Sequence, residues 1–405
     1  MKNVKIVIGS LWGDEAKGHL THILSHSLNN TIVVRFNGGA QASHTVVSDN
    51  MVHAFRHHGS GTFNGVPTYL SKHFIVNVFE FVIENDKLKE KLKYNPVVYV
   101  NPNAIVTTPY DEIINQEIEN MRGDNRHGSC GLGINETVLR CKTEYAIRVS
   151  DLFFADTLKQ KLERIRDEYV PMRLQTEYGL SMQQLPTSFK ERLEEDGIIN
   201  EFLLFADIFL KRVRVYSNRI LNQFDNVVFE GAQGLLLDQN NKEMRPHLTT
   251  SNTSTKNVME ILDALGYDGP IETYYISRVY MTKHGAGPFP HELPSIPYEK
   301  FEDKTNVPNA FQGSLRFSYM DYDLLVKAIN KDLAGLRVNS KVNVVFSCID
   351  QLGESFYYYV ENSLCEVKSC DVLNVSKEIL RQKLKKLDNV FGINSIDAIS
   401  LIMML

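Results

Sequence analysis

Short apolar runs alternate with longer amphipathic segments along most of this chain. Seven of the runs are rich in β-branched residues and predict strands at positions 4–8, 31–36, 74–78, 97–100, 227–229, 274–279 and 342–346. Their nearly continuous apolar character is typical of strands that are buried on both faces of a parallel sheet. The aromatic run at 356–359 predicts a further strand.

Helical periodicity lies between these runs. In segment 156–170, four apolar residues recur at the spacing of one helix face: Leu158, Leu162, Ile165 and Tyr169. Segment 198–215 is apolar almost all round and predicts a buried helix, while 377–387 predicts an amphipathic helix. Strands that alternate with helices predict an α/β fold, a single large domain over 1–405 around a mainly parallel, doubly wound sheet. We expect the polar, irregular segment 172–196 to be a peripheral excursion.

The composition narrows the class of protein. The chain has 405 residues, of which 43% are hydrophobic and 23% charged, and its net charge of −5 does not favour a nucleic-acid surface. No stretch approaches the roughly 20 apolar residues of a membrane span. Five cysteines without a C-x-x-C pair favour reduced thiols and no zinc site. Because the chain begins directly with a strand pattern, we expect no signal peptide and a cytoplasmic protein.

A glycine-rich loop, GSLWGDEAKGHL at 9–20, follows the first predicted strand. Gly9, Gly13 and Gly18 surround Lys17 in this loop. A strand that leads through such a loop into a helix places backbone N–H groups at the helix N-terminus, a geometry that binds phosphate. Lys17 would neutralise the terminal phosphate oxygens of a nucleoside triphosphate.

Two acids, Asp14 and Glu15, lie in the same loop, where a polyanion is expected. A carboxylate beside a triphosphate can hold Mg²⁺. It can also remove a proton from a nucleophile that attacks the γ-phosphate. The loop alone leaves both roles open.

Six motifs, in the same order along the chain, resemble those of the adenylosuccinate synthetase family. They are GDEAKG at 13–18, RFNGGAQASHT at 35–45, GSCGLGI at 128–134, FEGAQG at 229–234, TTSNT at 249–253, and GAGPFP at 285–290 with Glu292 after it. Beyond residue 300 the resemblance is thinner. There, NAFQGSLR at 309–316 is similar to the archaeal and phage branch of the family, and CID at 348–350 keeps part of a family motif.

The resemblance implies a ligation in two steps. A base takes the N1 proton of a 6-oxopurine nucleotide, O6 attacks the γ-phosphate of a nucleoside triphosphate, and the amine of L-aspartate displaces the phosphoryl group. Asp14 is implied as the base and, with Ser43, as a Mg²⁺ ligand. His44 is implied as a donor to developing negative charge, and Gln233 as a hydrogen-bond partner of the O6 region.

The resemblance also implies three binding sets. For the triphosphate they are Gly13, Glu15, Ala16, Lys17, Gly18, Thr45 and Asp350. For the purine monophosphate they are Gln41, Ser129, Cys130, Gln233 and Thr249, and for aspartate Thr253 and Arg316. The family also supplies an arginine to the 5′-phosphate across a homodimer, but the corresponding position here is Glu144. Arg140 is a candidate substitute, and an ordinary surface arginine is the equal alternative.

Because the sequence departs from the family pattern, the identities of the acceptor and donor nucleotides stay open. The K-x-D pair that reads guanine keeps Asp350 but has Cys348 in the lysine position, and the C-terminal S-T-G-P segment is missing. The donor is therefore GTP or ATP. The phage branch joins aspartate to dGMP with ATP or dATP, in many cases with a smaller residue in place of Asp14. A carboxylate beside N1 suits the unsubstituted C2 of IMP, so we expect IMP with GTP, and dGMP is the alternative.

Two other classes of protein compete with this interpretation. A GTPase-like switch needs neither His44 nor Gln233 nor a second nucleotide pocket. A catalytically inactive dimeric binding module would not need Asp14 and Lys17 together with His44. We therefore predict a Mg²⁺-dependent C–N ligase that acts on small molecules as a homodimer, without nucleic-acid or membrane partners.

Overall fold

The computed structural model describes residues 1–26, 28–48, 51–123, 129–195, 197–300, 314–395 and 402–403. Its strands are β1 (Asn3–Gly9), β2 (Thr31–Arg35), β3 (His44–Ser48), β4 (Met51–Phe55), β5 (Thr68–Leu70), β6 (Ile75–Val76), β7 (Val98–Val100), β8 (Ile105–Val106), β9 (Val213–Val215), β10 (Asn226–Gly234), β11 (Ile271–Arg278), β12 (Tyr280–Lys283), β13 (Arg316–Asp321), β14 (Lys341–Ser347), β15 (Ser355–Val360), β16 (Ser363–Lys368), β17 (Asn389–Gly392) and β18 (Ile402–Met403).

Along the chain, the α-helices lie mainly between the strands of the central sheet. They are α1 (Lys17–His26), α2 (Val78–Leu92), α3 (Pro109–Arg122), α4 (Ile134–Arg140), α5 (Ala155–Arg164), α6 (Val170–Tyr178), α7 (Thr187–Glu194), α8 (Gly197–Arg212), α9 (Lys256–Ala264), α10 (Tyr322–Leu333) and α11 (Val372–Lys383). No helix in the described ranges is both long and apolar enough to cross a bilayer.

Ten strands form the central sheet, in the order β18–β17–β14–β11–β1–β10–β2–β5–β7–β9. The pairings from β17 to β9 are parallel, and the short edge strand β18 pairs antiparallel with β17. β1 lies inside the sheet, and the chain extends the sheet on both of its sides. The predicted α/β fold with a mainly parallel, doubly wound sheet is confirmed.

The strand predicted at 74–78 is largely wrong. Only Ile75–Val76 forms a strand, and it pairs with β8 outside the central sheet. The position beside β2 in the central sheet is taken by β5. The Asn77 side chain accepts from the N–H groups of Phe79 and Glu80, so it caps α2. This cap turns the apolar run into a helix at Val78.

The buried helix predicted at 198–215 is correct in position but not in length or burial. α8 ends at Arg212, and residues 213–215 form the edge strand β9. One face of α8 packs inward, with the ring centroids of Phe209 and Phe81 4.8 Å apart, whereas Leu204 on another face is 56% exposed. The helix therefore packs against α2 and α5 with one face and exposes another, rather than lying inside the core.

The segment around 172–196 is helical, not irregular. α5 passes through one π-helical turn, Ile165–Tyr169, into α6, and α7 follows. Leu174, Phe189 and Leu193 are buried in a hydrophobic cluster with side chains of α2, α3, α5 and α8. The polar residues that suggested an excursion lie on the outer faces of these helices. The C-terminal helix predicted at 377–387 is present but shifted toward the N-terminus, as α11.

Candidate active site

The carboxyl ends of the parallel strands meet at one edge of the sheet, where a cleft of about 1280 Å³ opens. In open α/β sheets, ligands bind outside the carboxyl ends of the strands, at the point where the strand order reverses. The loops that follow β1, β2, β10 and β14, together with Arg278 at the end of β11, contribute to the cleft wall. Of the predicted site residues, these line it: Gly13, Asp14, Glu15, Ala16, Lys17, Gly18, Gln41, Ser43, His44, Thr45, Ser129, Cys130, Gln233 and Thr249.

The loop between β1 and α1 is in close contact with two other motifs. Gly13 has a φ of +121°, and a Cβ on it would lie 2.9 Å from the Cα of Gln233. A Cβ on Gly18 would lie 2.6 Å from the Cβ of His44. Glycine is needed at both positions, for its backbone freedom at Gly13 and for its small size at Gly18. These contacts bring three of the predicted motifs together.

Lys17 and Glu15 are both buried beneath this loop. Lys17 donates to the Gly13 carbonyl, and its Nζ lies 3.9 Å from Glu15 Oε2. The Leu11 N–H donates to Glu15 Oε1 at 2.5 Å. Burial raises the pKa of Glu15 to about 7 against the opposing charge of Lys17, and burial lowers the pKa of Lys17. The loop therefore holds its ammonium group in place before any phosphate arrives.

The Asp14 carboxylate projects into the cleft, where its Oδ2 lies 3.1 Å from His284 Nε2. Arg278 donates to the Asp14 carbonyl and so fixes the backbone at this position. Desolvation by the surrounding protein would raise the pKa of Asp14. The hydrogen bond and charge of His284, with the charges of Arg278 and Lys17, instead hold it below 3.8. Asp14 is therefore ionised at neutral pH, in the form that can accept a proton.

His44 begins β3, and its ring forms part of the cleft wall. Its Nδ1 lies 2.6 Å from Oε1 of the buried Glu230 and 3.2 Å from Nη1 of Arg35. Burial and the Arg35 charge lower the pKa of His44 to about 4, against the opposing effect of Glu230. The imidazole is therefore neutral at pH 7 in the structure as it stands.

Several buried polar atoms in the cleft wall have no hydrogen-bond partner among the described residues. They are Oε1 and Nε2 of Gln41, Oε1 of Gln233 and Nε1 of Trp12. Gln233 also has a left-handed backbone, with φ of +62°, a strained conformation for a residue other than glycine. Buried polar groups are normally hydrogen-bonded. These atoms therefore indicate a polar ligand with donors and acceptors of its own.

Ser129, Cys130 and Thr249 occupy other parts of the wall. Ser129 Oγ donates to Asn115 Oδ1 at 2.8 Å and accepts from the Gly131 N–H at 3.3 Å. Gly128, from the same motif, lies outside the described residues. The hydroxyl and thiol of this turn are thus part of the cleft wall.

Arg140 does not line the cleft. The structure corrects both expectations for it, a 5′-phosphate ligand and a surface arginine. It is fully buried, and its Nε and Nη2 donate to the two Asp111 carboxylate oxygens at 2.9 and 2.8 Å. Its other donors reach the carbonyls of Val106 and Tyr145. Arg140 is therefore an interior ion-pair residue, neither a phosphate ligand nor a surface arginine.

Three further predicted residues are also absent from the described cleft lining. Thr253 is buried and donates from Oγ1 to the Gly234 carbonyl. Arg316 pairs with Glu292, with Nε 2.8 Å from Oε1, and donates to two carbonyls of the 285–287 turn. Asp350 is exposed and accepts from the N–H of Ser395 at 2.7 Å, although Ser395 itself lines the cleft.

The sequence did not point to His284, Arg278 or Glu230, which contact the proposed catalytic residues Asp14 and His44. His284 immediately precedes the GAGPFP motif, and Arg278 ends β11, so their strand-end positions were the available indication. Glu230 lies inside the FEGAQG motif but within an apolar strand. Only the three-dimensional pairing with His44 gives it a role.

Comparison with known proteins identifies the family. The family model described as adenylosuccinate synthetase matches residues 6–332. The adenylosuccinate synthetases of Acaryochloris marina and Microcystis aeruginosa are 30% and 32% identical over 297 and 302 residues, each alignment covering 72% of this chain and 63% of the relative. The chain thus spans less than two thirds of the length of these relatives. The enzyme of Thermoplasma volcanium is 29% identical over 340 residues, covering 81% and 72%.

Two solved structures share the fold. Fully ligated adenylosuccinate synthetase from Plasmodium falciparum superposes with a TM-score of 0.76 at 17% identity, covering 100% of both chains. Succinoaminodeoxyadenylate synthetase of cyanophage S-2L, bound to dGMP and dATP, gives 0.58 at 14% identity, covering 96% of this chain and 92% of that one. The resemblance seen in the six motifs is confirmed: this chain belongs to the adenylosuccinate synthetase family.

Proposed function

We propose that this protein is a C–N ligase that joins L-aspartate to a 6-oxopurine nucleotide at the expense of a nucleoside triphosphate. The observation that carries the proposal is that Asp14, Lys17, His44 and Gln233 line one cleft. The cleft volume of about 1280 Å³ exceeds the roughly 300–1,000 Å³ of a typical small-molecule site. This space suits two nucleotides better than one.

In the proposed first step, the ionised Asp14 takes the N1 proton of the purine. The electron pair of the N1–H bond moves into the ring, O6 attacks the γ-phosphorus, and the bond to the β-phosphate oxygen breaks to release the diphosphate. Lys17 binds the phosphate oxygens, and Gln233 holds the O6 region. In the second step, the aspartate amine attacks C6, the C6–O bond breaks so that O6 leaves with the phosphate, and the leaving phosphate takes up the proton that the amine loses.

His44 acts on the transferring phosphoryl group in this proposal. Its imidazole is neutral at pH 7, but the negative charge of a bound triphosphate would favour its protonated form. That form donates a hydrogen bond to charge that develops in the transition state.

The residues present fit a Mg²⁺ ion. Asp14 and Ser43 offer hard oxygen ligands on the cleft wall beside Lys17, and Mg²⁺ usually takes one or two carboxylates together with substrate phosphates. Among the described residues there is no cluster of three or more side chains that could form an all-protein metal cage. When bound there, the ion would neutralise charge on the triphosphate. We propose Asp14 and Ser43 as its protein ligands.

For aspartate we propose Arg316, helped by Thr253 and the neighbouring turn. Arg316 now grips the Glu292 carboxylate with two nitrogens, the same fork geometry that a substrate carboxylate would use. Binding would require exchange of Glu292 for the substrate. The protein is proposed to act as a cytoplasmic homodimer, as the family resemblance implies.

The proposed nucleotides are IMP as acceptor and GTP as donor. The alternative pair is dGMP as acceptor with ATP or dATP as donor. One observation favours ATP or dATP over GTP: Asp350, the retained guanine-reading residue, is engaged with Ser395 and does not line the cleft. Cys348 lines the cleft with a thiol, a weak donor.

Phosphate release measured with each combination of IMP or dGMP and GTP, ATP or dATP tests the proposal. Release should depend on both aspartate and the purine monophosphate, with a C–N product detected by mass spectrometry. If dGMP with ATP is preferred by more than tenfold, the alternative replaces IMP. Hydrolysis that is indifferent to aspartate and to any monophosphate would instead identify a GTPase-like switch.

A further inference from the structure

Glu230 is a buried carboxylate to which the proposed reaction steps assign no role. It lies on β10, in register with Val7 of β1 and Arg35 of β2. Its side chain is 0% exposed. A fully buried carboxylate is costly unless it is paired and hydrogen-bonded, so its contacts should reveal what it is held for.

Three residues surround the Glu230 carboxylate. Oε1 lies 2.6 Å from His44 Nδ1 and 3.7 Å from Arg35 Nη1. Ser60 donates from its backbone N–H to Oε2 at 2.9 Å, and its hydroxyl donates to Oε1. Ser60 and Arg35 fix the carboxylate, and His44 is the one of the three neighbours that also lines the cleft.

This arrangement determines the tautomer of His44. An ionised carboxylate can only accept, so the proton of the short contact belongs to Nδ1. The Arg35 guanidinium can only donate, so its 3.2 Å approach to the same nitrogen is a close contact and not a second hydrogen bond. Nε2 is then the nitrogen that His44 can offer to a ligand in the cleft.

We infer that Glu230 is a positioning residue that fixes the ring and tautomer of His44, so that Nε2 faces the transferring phosphoryl group. The inference rests on the proposed function for the identity of that group, but the tautomer itself does not depend on it. Carboxylates that orient a catalytic imidazole through Nδ1 have the same geometry in other enzymes.

Glu230→Gln tests the inference, because a glutamine amide can donate to Nδ1 and favour the other tautomer. We expect kcat to fall by about 10³-fold or more, with the KM for each nucleotide changed by only a few-fold. In ¹⁵N NMR of the whole chain studied, His44 should be protonated at Nδ1 in the wild type and at Nε2 in the variant.

Glu84→Gln is the matched control. Glu84 is also a buried carboxylate among histidines, 3.5 Å from both His57 Nδ1 and His58 Nδ1, but it does not line the described cleft. Its variant should lose stability and keep kcat within a few-fold. Glu230→Gln with unchanged kcat, or a wild-type His44 protonated at Nε2, would overturn the inference. Absence of aspartate-dependent turnover in the wild type would instead overturn the proposed function, while the NMR result would still decide the tautomer.

Discussion

At the scale of single residues, Asp14 is the side chain on which the proposed chemistry depends most. Asp14→Asn keeps its size and removes both the basic carboxylate and the proposed metal ligand. We expect kcat to fall by at least about 10³-fold with an unchanged melting temperature. Glu80→Gln, which removes another carboxylate from the cleft wall, is the control and should stay within a few-fold. Wild-type turnover of Asp14→Asn would exclude Asp14 as the base.

His284 sets the ionisation of Asp14. Its hydrogen bond helps to hold the pKa of Asp14 below the ordinary value, against desolvation that would raise it. Removal by His284→Ala should therefore raise the pKa of Asp14, and the acidic limb of the pH profile of kcat/KM should move to higher pH. His284→Gln, which keeps a side-chain donor, should move it less. A limb that stays in place or moves to lower pH would show that His284 does not act on the base.

Arg140 provides a test of stability without catalysis. Arg140→Met would leave the buried Asp111 carboxylate without its charge partner. Breaking such a pair typically lowers the free energy of unfolding by about 3–5 kcal/mol. Denaturant unfolding should detect this loss, while the KM for the purine monophosphate stays the same. A raised KM in a fully stable variant would restore Arg140 as a phosphate ligand.

The motifs that resemble the family predicted residues in the segments that follow β1 and β2 and at the end of β10, which border the cleft. Asp14, Lys17, His44 and Gln233 reached the cleft in this way. The Arg140 prediction is wrong because a position in the sequence after the 128–134 motif gives no information about Asp111, 29 residues earlier in the chain. His284 and Glu230 needed tertiary distances, which a sequence read alone does not supply.

At the scale of elements, the helices α6 and α7 decide whether the 170–194 region is part of the core. Leu174 on α6 is fully buried, whereas Met172 in the same helix is 44% exposed. Leu174→Ala should lower the free energy of unfolding by about 2–5 kcal/mol, and Met172→Ala by less than about 0.5 kcal/mol. Equal effects in thermal or denaturant unfolding would show that this region is peripheral after all.

The strands of the central sheet were the elements most readily predicted, because burial on both faces produces short continuous apolar runs. The run at 74–78 failed for a local reason: the Asn77 cap starts a helix within it. The predicted end of α8 is wrong because apolar β-branched residues continue from the helix into β9. In both places, one apolar run spans two elements, and its hydrophobicity does not mark the boundary.

At the scale of the whole molecule, the doubly wound sheet gathers distant parts of the chain at one edge. Asp14 and Gln233 are more than 200 positions apart in sequence, yet both line the cleft because β1 and β10 are neighbours. The cleft is thereby suited to hold a phosphate donor and a purine acceptor against each other. The central claim is that oxygen passes from the purine to the phosphate across this cleft.

Isotope transfer from the acceptor tests that claim most directly. The purine monophosphate is labelled with ¹⁸O at O6, and the phosphate released during turnover with aspartate and a triphosphate is examined by mass spectrometry. Our account predicts one ¹⁸O atom in each phosphate released and none left in the C–N product. Unlabelled phosphate, with the label retained on the purine or lost to water, would contradict it.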